Sequence, residues 1–303
     1  MITYSDILAA AERIRPFALK TPVKTSAALD ALSGARLFFK CENLQVGGAF
    51  KFRGAVNAVF ALDDAIAEKG VITHSSGNHG AALARAAKLR GITAQVIVPE
   101  GAVQSKLDAM LAAGAVIHRC APTQAAREAM TRECIAETGA TLVHPYEDPK
   151  VMAGQGTAAL ELLAEVPQLD AVIVPVGGGG LIAGTAVALD PADVPLYGVE
   201  PEGAAETVAS LLAKERITHL LPDTLCDGLR AVVGVPNFAI ISEHVLQVLT
   251  VSDAQCLAAQ DLVRQHLQMV IEPSSATVLA AVLANPALFK GRRVGLILTG
   301  GNV

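Results

Sequence analysis

The feature that most constrains this 303-residue chain is a repeated unit of a short apolar segment, a turn of small residues and an Ala/Leu-rich helical segment. The apolar segments lack polar alternation, which is typical of parallel strands buried on both faces. Candidate strands are Ala35–Lys40, Gly70–Ser75, Ala94–Pro99, Ala115–Cys120, Thr141–His144, Asp170–Val176, Leu196–Glu200 and Arg293–Leu298, and candidate helices include Gly80–Leu89, Ser105–Ala113, Gln124–Thr138, Gly154–Leu163 and Ala276–Val282. The alternation predicts an α/β fold of mostly parallel sheets flanked by helices, with sites at the carboxyl ends of strands.

Charge and hydropathy exclude several classes of protein. The formal net charge of −5 argues against binding to a phosphate backbone, which needs a basic surface. The first apolar stretch carries Asp6, Glu12 and Arg13, unlike a secretory signal, and no apolar run approaches the ~18 residues of a membrane span. We therefore expect a cytoplasmic protein with neither nucleic-acid nor membrane partners.

The cysteines are odd in number and widely spread: Cys41, Cys120, Cys134, Cys226 and Cys256. No pair has C-x-x-C spacing, and no histidine accompanies them at the distances of a zinc site. We expect buried free thiols, which fit a reducing compartment.

A glycine run, Gly177–Gly180, follows the apolar segment AVIVPV and precedes the helical segment LIAGTAVAL. Glycines in this position let backbone N–H groups approach an anion at a helix N-terminus. The segment lacks the G-K-[ST] ending of a P-loop. It does match the dinucleotide pattern G-x-G-x-x-A, with Glu200 about twenty residues further on. The glycine run alone therefore leaves NAD and a single phosphate both open.

Lys51 lies between Phe50 and Phe52 in the segment GGAFKFRGA. A lysine of this kind is often a surface side chain whose stem lies on apolar neighbours. The alternative is an amine in an apolar pocket, where a lowered pKa lets it form a Schiff base. A dehydrogenase would not need such a lysine.

Two further segments end candidate strands. The loop THSSGNHG, residues 73–80, offers hydroxyl, amide, imidazole and backbone donors at a helix start, which suits a carboxylate. Helix capping alone would also account for its Ser and Asn residues. In the segment LTGGN, the hydroxyl of Thr299 could donate a hydrogen bond to a ring nitrogen, or the segment could be a simple turn.

Together with AGQGT and IEPSSA, these segments resemble the fold-type II pyridoxal-phosphate enzymes, in particular the serine/threonine dehydratase and serine racemase family. Six motifs occur in the family's order nearly from end to end. The resemblance implies a two-lobed, tryptophan synthase β-like fold and a homodimer. Residues 1–69 and 148–303 would form the large cofactor-binding domain, and residues 70–147 a small domain that closes over substrate. NAD binding would leave Lys51 and the SSGNHG loop unexplained.

The resemblance also implies roles for individual residues. Lys51 would form the Schiff base with pyridoxal 5′-phosphate and remove the Cα proton, and Ser76 would face Cα from the opposite side. The cofactor would be held by Phe50, Lys51, Asn78, Gly177, Gly178, Gly179, Gly180, the Leu181 amide and Thr299, the last in a position where the family often has Ser. Substrate would be bound by Ser75, Ser76, Gly77, His79 and Arg127.

A divalent cation is implied at Glu200, the Ala204 carbonyl and Glu206. These are hard oxygen ligands suited to Mg²⁺ or Ca²⁺. The third ligand in the serine racemase branch is Asp, so Glu206 departs from that pattern. Two solvated glutamates after a strand are the alternative.

The implied activity is that of an ammonia-lyase, which converts a small β-hydroxy amino acid of the serine/threonine type to a 2-oxo acid and ammonia. Arg127 resembles an arginine near the substrate side chain in the racemase branch, which would favour a second carboxylate. Tyr146 looks more like the dehydratases. Serine racemase and 3-hydroxyaspartate ammonia-lyase activities on the same scaffold, and more remotely an NAD-binding protein, are the alternatives.

Overall fold

The structure, a computed structural model, describes residues 1–219 and 221–302. In this part of the chain the helices are α1 (Tyr4–Ile14), α2 (Ala27–Ser33), α3 (Lys51–Phe60), α4 (Asp64–Ala67), α5 (Asn78–Arg90), α6 (Gln104–Ala112), α7 (Gln124–Thr138), α8 (Pro149–Glu165), α9 (Gly180–Leu189), α10 (Glu206–Ala213), α11 (Val235–His244), α12 (Asp253–Leu267), α13 (Pro273–Ala284) and α14 (Pro286–Phe289). The strands are β1 (Val23–Lys24), β2 (Arg36–Cys41), β3 (Val71–Thr73), β4 (Ala94–Pro99), β5 (Val116–Cys120), β6 (Thr141–Leu142), β7 (Ala171–Pro175), β8 (Leu196–Pro201), β9 (Gln247–Val251) and β10 (Arg293–Leu298). All eight candidate strands are confirmed, as β2 to β8 and β10.

The larger sheet has six strands in the order β1-β2-β10-β7-β8-β9. Every pair is parallel except β1 with β2. Alternate residues of β7 enter different cores: Ile173 packs with α12 and α13, while Val172 and Val174 pack with α8 and α9. Because successive strand side chains point to opposite faces, this sheet is covered by helices on both sides.

The smaller sheet has four parallel strands in the order β5-β4-β3-β6. Its cores contain residues of α5 and α6 in one cluster and of α7 in another. Helix α3 contributes Phe52, Val56 and Val59 to the first of these clusters, although it precedes the sheet in sequence. The mostly parallel, helix-flanked fold predicted from the alternation is therefore confirmed. The division at residues 70 and 147 into two domains stays a prediction.

All five cysteines are buried and free, as expected. In the described residues, none of the helices combines the length and the apolar character needed to cross a bilayer.

Candidate active site

A cavity of about 1420 Å³ lies where the two sheets meet. The segments that follow β3 and β6 of the smaller sheet, and β7 and β10 of the larger one, line it, as the parallel-sheet rule predicts. The structure brings together all the predicted cofactor and substrate residues: Phe50, Lys51, Ser75, Ser76, Gly77, Asn78, His79, Arg127, Gly177, Gly178, Gly179, Gly180, Leu181 and Thr299. The predicted metal residues lie elsewhere: Glu200 near the end of β8, Ala204 in the turn that follows, and Glu206 at the start of α10.

Lys51 is the first residue of α3 and lies in the cavity. Its Nζ donates a hydrogen bond to the Pro145 carbonyl oxygen at 2.9 Å and lies 5.1 Å from the centroid of the Phe50 ring. Burial lowers the pKa of Lys51 to about 8, because a low-dielectric surrounding disfavours the ammonium form. Roughly a tenth of the amine is therefore neutral and nucleophilic at pH 7, far more than for an ordinary lysine.

The glycine run forms a cradle at the N-terminus of α9. Gly179 has a left-handed conformation, with φ of 87°, and no side chain caps the helix. A Cβ at Gly178 would clash with the Tyr146 ring, so a larger residue would displace that ring. Free N–H groups in the first turn, together with the helix dipole, form a site for an anion such as a phosphate.

The SSGNHG loop leads into α5, whose N-cap is Gly77 and which also has no side-chain cap. Its free N–H groups suit a second anion. The buried His79 ring anchors the loop, since its Nε2 lies 3.1 Å from the Val143 carbonyl oxygen. Burial lowers the pKa of His79 to about 3, so the ring is neutral and donates this hydrogen bond.

Asn78 is held at both ends of its amide. Its Nδ2 donates to Glu272 Oε1 at 2.8 Å, and its Oδ1 accepts from Asn302 Nδ2 at 3.1 Å. Burial raises the pKa of Glu272. The motifs IEPSSA and LTGGNV contain Glu272 and Asn302, but sequence reasoning assigns them no role, because a contact across 194 residues leaves no local signal.

A buried charge network fixes the start of α3. Arg53 Nε contacts Glu42 Oε2 at 2.7 Å, and Arg53 Nη2 contacts Glu161 Oε2 at 2.8 Å. Lys40 Nζ lies 2.6 Å from the same Glu161 oxygen. Burial opposes ionisation of Glu42, but the Arg53 charge and the hydrogen bonds from Arg53 and Thr21 together outweigh it, so the pKa of Glu42 is lowered. The network holds the helical turn that carries Lys51, and sequence reasoning misses it.

Glu200 and Glu206 are both buried, so the alternative of two solvated glutamates is wrong. Glu200 accepts hydrogen bonds from the N–H groups of Thr207 and Val208 at 3.0 and 2.9 Å. Burial raises the pKa of Glu200 to about 7, and the nearby Glu206 charge adds to the rise. Glu206 Oε1 accepts from the Val233 N–H at 2.5 Å. Within the described residues no three His, Cys, Asp or Glu side chains group as metal ligands, so a cation here would need backbone or water oxygens.

Comparison with known families decides the class. Residues 14–300 match the family model described as pyridoxal-phosphate dependent enzyme. The chain belongs to this family. The NAD interpretation is therefore wrong, and the phosphate-binding role of the glycine cradle stays a prediction.

Individual members of the family are similar over the whole chain. The beta-hydroxyaspartate dehydratase of Paracoccus denitrificans (strain Pd 1222) is 49% identical over 303 residues, covering 99% of this chain and 96% of that protein. The solved structure of serine racemase from Dictyostelium discoideum has a TM-score of 0.96 at 44% identity, covering 100% of this chain and 99% of that one. The processed form of threonine deaminase isoform 2 from Solanum lycopersicum has a TM-score of 0.94 at 31% identity, covering 99% of this chain and 89% of that one.

The cavity fits pyridoxal phosphate on its own chemistry. It combines an amine of lowered pKa at Lys51, an aromatic ring at Phe50 and an uncapped helix N-terminus at the glycine cradle. Thr299 lines the cavity with a buried hydroxyl-bearing side chain, which suits a neutral ring nitrogen. These are the contacts that an aldehyde, a ring and a phosphate require.

Proposed function

We propose that this chain is a pyridoxal-phosphate-dependent ammonia-lyase for small β-hydroxy amino acids, with 3-hydroxyaspartate as its preferred substrate. The observation that carries the preference is the position of Arg127, whose half-buried guanidinium lines the same cavity as Lys51. No hydrogen-bond partner for Arg127 Nε is found in the described part of the chain. A guanidinium matches a second carboxylate through a bidentate pair. The relative named beta-hydroxyaspartate dehydratase supports this choice over serine and threonine.

When bound, pyridoxal phosphate supplies the electron sink that acidifies the substrate Cα–H. The glycine cradle would hold the phosphate, and Thr299 the ring nitrogen. Asn78, oriented by Glu272, would present an N–H to the ring hydroxyl. The free N–H groups at the start of α5 would bind the substrate α-carboxylate.

Lys51 would act as the general base at Cα, because its lowered pKa lets the neutral amine accept the proton near neutral pH. Loss of the β-hydroxyl as water relieves the negative charge that develops at Cα. The released enamine then tautomerises to an imine, and water hydrolyses that imine to the 2-oxo acid and ammonia. The chain's own residues thus bind and orient the cofactor and the substrate, and Lys51 moves one proton.

Racemisation is the second candidate activity, and Ser76 is the observation that favours it. Ser76 lines the cavity together with Lys51. A planar carbon between two acid–base groups can lose its proton to one and regain it from the other. The serine racemase of Dictyostelium discoideum is 45% identical over 309 residues.

We further propose that Glu200, the Ala204 carbonyl and Glu206 hold Mg²⁺ or Ca²⁺. Two buried carboxylates, each with a raised pKa, form a site in which a cation would relieve their repulsion. The homodimer and the cytoplasmic location stay predictions.

The test of the proposed function is a substrate panel. Keto-acid and ammonia release would be measured for L-serine, L-threonine, the 3-hydroxyaspartate diastereomers and their D-forms. Arg127→Met should lower kcat/KM for 3-hydroxyaspartate about tenfold to a hundredfold, the loss expected for one charged hydrogen-bonded pair, and spare serine. Arg132→Met, an exposed arginine on the same helix, is the matched control. Turnover of serine or threonine without turnover of any 3-hydroxyaspartate isomer would refute the preferred substrate.

A further inference from the structure

Two histidines stand side by side at the wall of the cavity. Strands β3 and β6 pair in parallel with Val71 opposite Thr141 and Ile72 opposite Leu142. The same offset places His74 opposite His144, just beyond the two strand ends. Their rings meet edge to face, with centroids 5.1 Å apart and planes at 70°, and both line the cavity.

The tautomer of His144 is fixed by the backbone. Its Nδ1 lies 3.0 Å from the Glu147 backbone nitrogen, which can only donate. Nδ1 is therefore the unprotonated nitrogen, and the neutral ring carries its proton on Nε2. The Glu147 Oε2 atom lies 3.8 Å from Nε2, too far for a hydrogen bond. His144 thus offers the cavity a neutral N–H donor that a ligand could use.

Both imidazoles are uncharged at neutral pH. Burial, together with the charges of His74 and Lys51, lowers the pKa of His144 to about 4, and the Glu147 carboxylate opposes this shift. Burial also lowers the pKa of His74, where the Arg127 charge lowers it further and the carboxylates of Glu128 and Glu147 raise it. The Tyr146 ring contacts His144 edge to face at 4.6 Å. The Lys51 charge therefore acts on one ring and the Arg127 charge on the other, and all four side chains line the same cavity.

The reacting carbon must approach this pair. Lys51 Nζ donates to the carbonyl of Pro145, the residue next to His144. A substrate whose Cα lies beside Lys51 Nζ has its β-carboxylate two bonds from Cα, in the cavity that this wall lines. In the proposed function the α-carboxylate binds at the N-terminus of α5, which leaves the imidazole pair and Arg127 for the β-carboxylate.

We propose that His144 and His74 are specificity-determining residues, which bind the β-carboxylate of the substrate together with Arg127 and take up a proton when it binds. This inference rests on the proposed function and adds the residues that recognise the substrate side chain. A carboxylate bound beside the two imidazoles raises their pKa, because its negative charge stabilises the protonated imidazolium. The carboxylate would thus convert the neutral Nε2–H donor of His144 into a charged one.

Phenylalanine substitutions test the binding role, because they keep an aromatic ring and remove its nitrogens. His144→Phe and His74→Phe should lower kcat/KM for 3-hydroxyaspartate about tenfold, mainly through KM, the loss expected for one hydrogen bond to a charged group. Serine turnover should change by less than about threefold, since serine lacks the second carboxylate. His144→Gln, whose amide can place an N–H near the lost Nε2–H, should recover most of the loss. His118→Phe is the matched control, because His118 lies on β5 and contacts Gln95.

Equal losses for 3-hydroxyaspartate and serine would overturn the inference, since a positioning defect acts on both substrates. If wild-type enzyme turns over no 3-hydroxyaspartate, the proposed function fails instead. Cofactor absorbance and melting temperature identify a variant that has not folded. If a phenylalanine variant does not fold, the binding role is tested by His144→Gln and by succinate titration of the wild-type holoenzyme.

Proton uptake is measured on the wild-type holoenzyme with succinate, a four-carbon dicarboxylate without an amino group. Calorimetric titration at pH 6 in two buffers of different ionisation enthalpy gives the number of protons taken up. A fraction of a proton should be taken up by wild type and lost in the His74→Phe/His144→Phe variant. Succinate binding without uptake, or uptake that survives in the double variant, would refute the protonation of this pair.

Discussion

At Lys51 the surroundings of one side chain decide its chemistry. The ammonium has a single described acceptor, the Pro145 carbonyl, and no carboxylate stabilises its charge. Lys40, by contrast, is fully buried but contacts Glu161 at 2.6 Å. A low-dielectric surrounding without a carboxylate partner favours the neutral amine. Of these two lysines, Lys51 is the one suited to attack an aldehyde.

We predict that Lys51 carries the cofactor. Borohydride reduction of the holoenzyme, followed by peptide mass analysis, should place the pyridoxyl group on Lys51. Lys51→Ala should lose at least about a hundredfold in kcat, the contribution of a general base alone. Lys24→Ala, an exposed lysine on β1, serves as the control and should keep full activity. A pyridoxyl adduct on any other lysine would contradict the assignment.

We predict that Ser76 acts on only one face of the substrate. Elimination from an L-substrate needs the base on the Lys51 side, while reaction of a D-substrate needs a base on the other side. Ser76→Ala should therefore largely spare L-substrate dehydration and abolish both racemisation and D-substrate turnover. The measurement is kcat/KM for each enantiomer. A binding defect lowers kcat/KM for both enantiomers, whereas a missing base lowers it for one. Similar losses for the two enantiomers would leave Ser76 as a carboxylate ligand or helix cap.

At the scale of elements, the site depends on two helices that begin without side-chain caps. Helices α5 and α9 start at the cavity after Gly77 and Gly179, and neither start is closed by Ser, Thr, Asp or Asn. Helix α8, in contrast, is capped by Asp148, which accepts from the N–H groups of Lys150 and Val151. An uncapped N-terminus is less stable by roughly 1 kcal/mol, and a bound anion can supply the missing acceptors.

The turn between β8 and α10 gives a prediction with a defined pH dependence. The pKa of Glu200 rises from 4.5 to about 7 on folding, so the folded protein holds a proton that the unfolded chain releases between these values. Cation-free protein should then lose stability as pH rises from about 4.5 through 7, and remain less stable above that. A cation replaces the proton and stabilises mainly the high-pH form by mass action.

Chelator should accordingly lower the melting temperature more at pH 8 than at pH 6, and Mg²⁺ or Ca²⁺ should restore it. Glu200→Gln should remove most of this difference, while Glu202→Gln, an exposed neighbour in the same turn, should keep it. Melting temperatures that do not change with chelator at either pH would show that Glu200 only caps α10 and that Glu206 only accepts from the Val233 N–H.

Much of this architecture could be predicted from the sequence, because buried parallel strands are recognisable as short apolar runs. Strand β9 could not, since it lies at the sheet edge and exposes Gln247 and Thr250. The sequence pattern puts the start of α8 at Gly154 instead of Pro149, although the Asp-Pro pair is a readable helix start. The site motifs are recognisable because each follows a strand. Their long-range partners, such as Glu272 for Asn78, depend on tertiary contacts that no local pattern encodes.

At the scale of the molecule, the site belongs to neither sheet alone. The SSGNHG loop comes from the smaller sheet, while the glycine cradle and Thr299 come from the larger one. One ion pair joins the two sides at the cavity: Lys106 of α6 lies 2.6 Å from Asp227, in the 3₁₀ turn Asp227–Leu229. Both side chains line the cavity and are partly exposed. This pair is placed to hold the cavity closed if the smaller sheet moves as a domain over the substrate.

We predict that this pair acts as a single latch. A partly exposed pair contributes up to about 1 kcal/mol, so Lys106→Met and Asp227→Asn should each lower kcat/KM about two- to fivefold, and less at high salt. Because both variants break the same contact, the double variant should be no worse than either single one, and the exchanged pair Lys106→Asp/Asp227→Lys should recover activity. Asp261→Asn breaks the Arg264–Asp261 pair within α12 and should change nothing. Losses that multiply in the double variant would show that each residue contacts the substrate independently, and the closed state would then need another explanation.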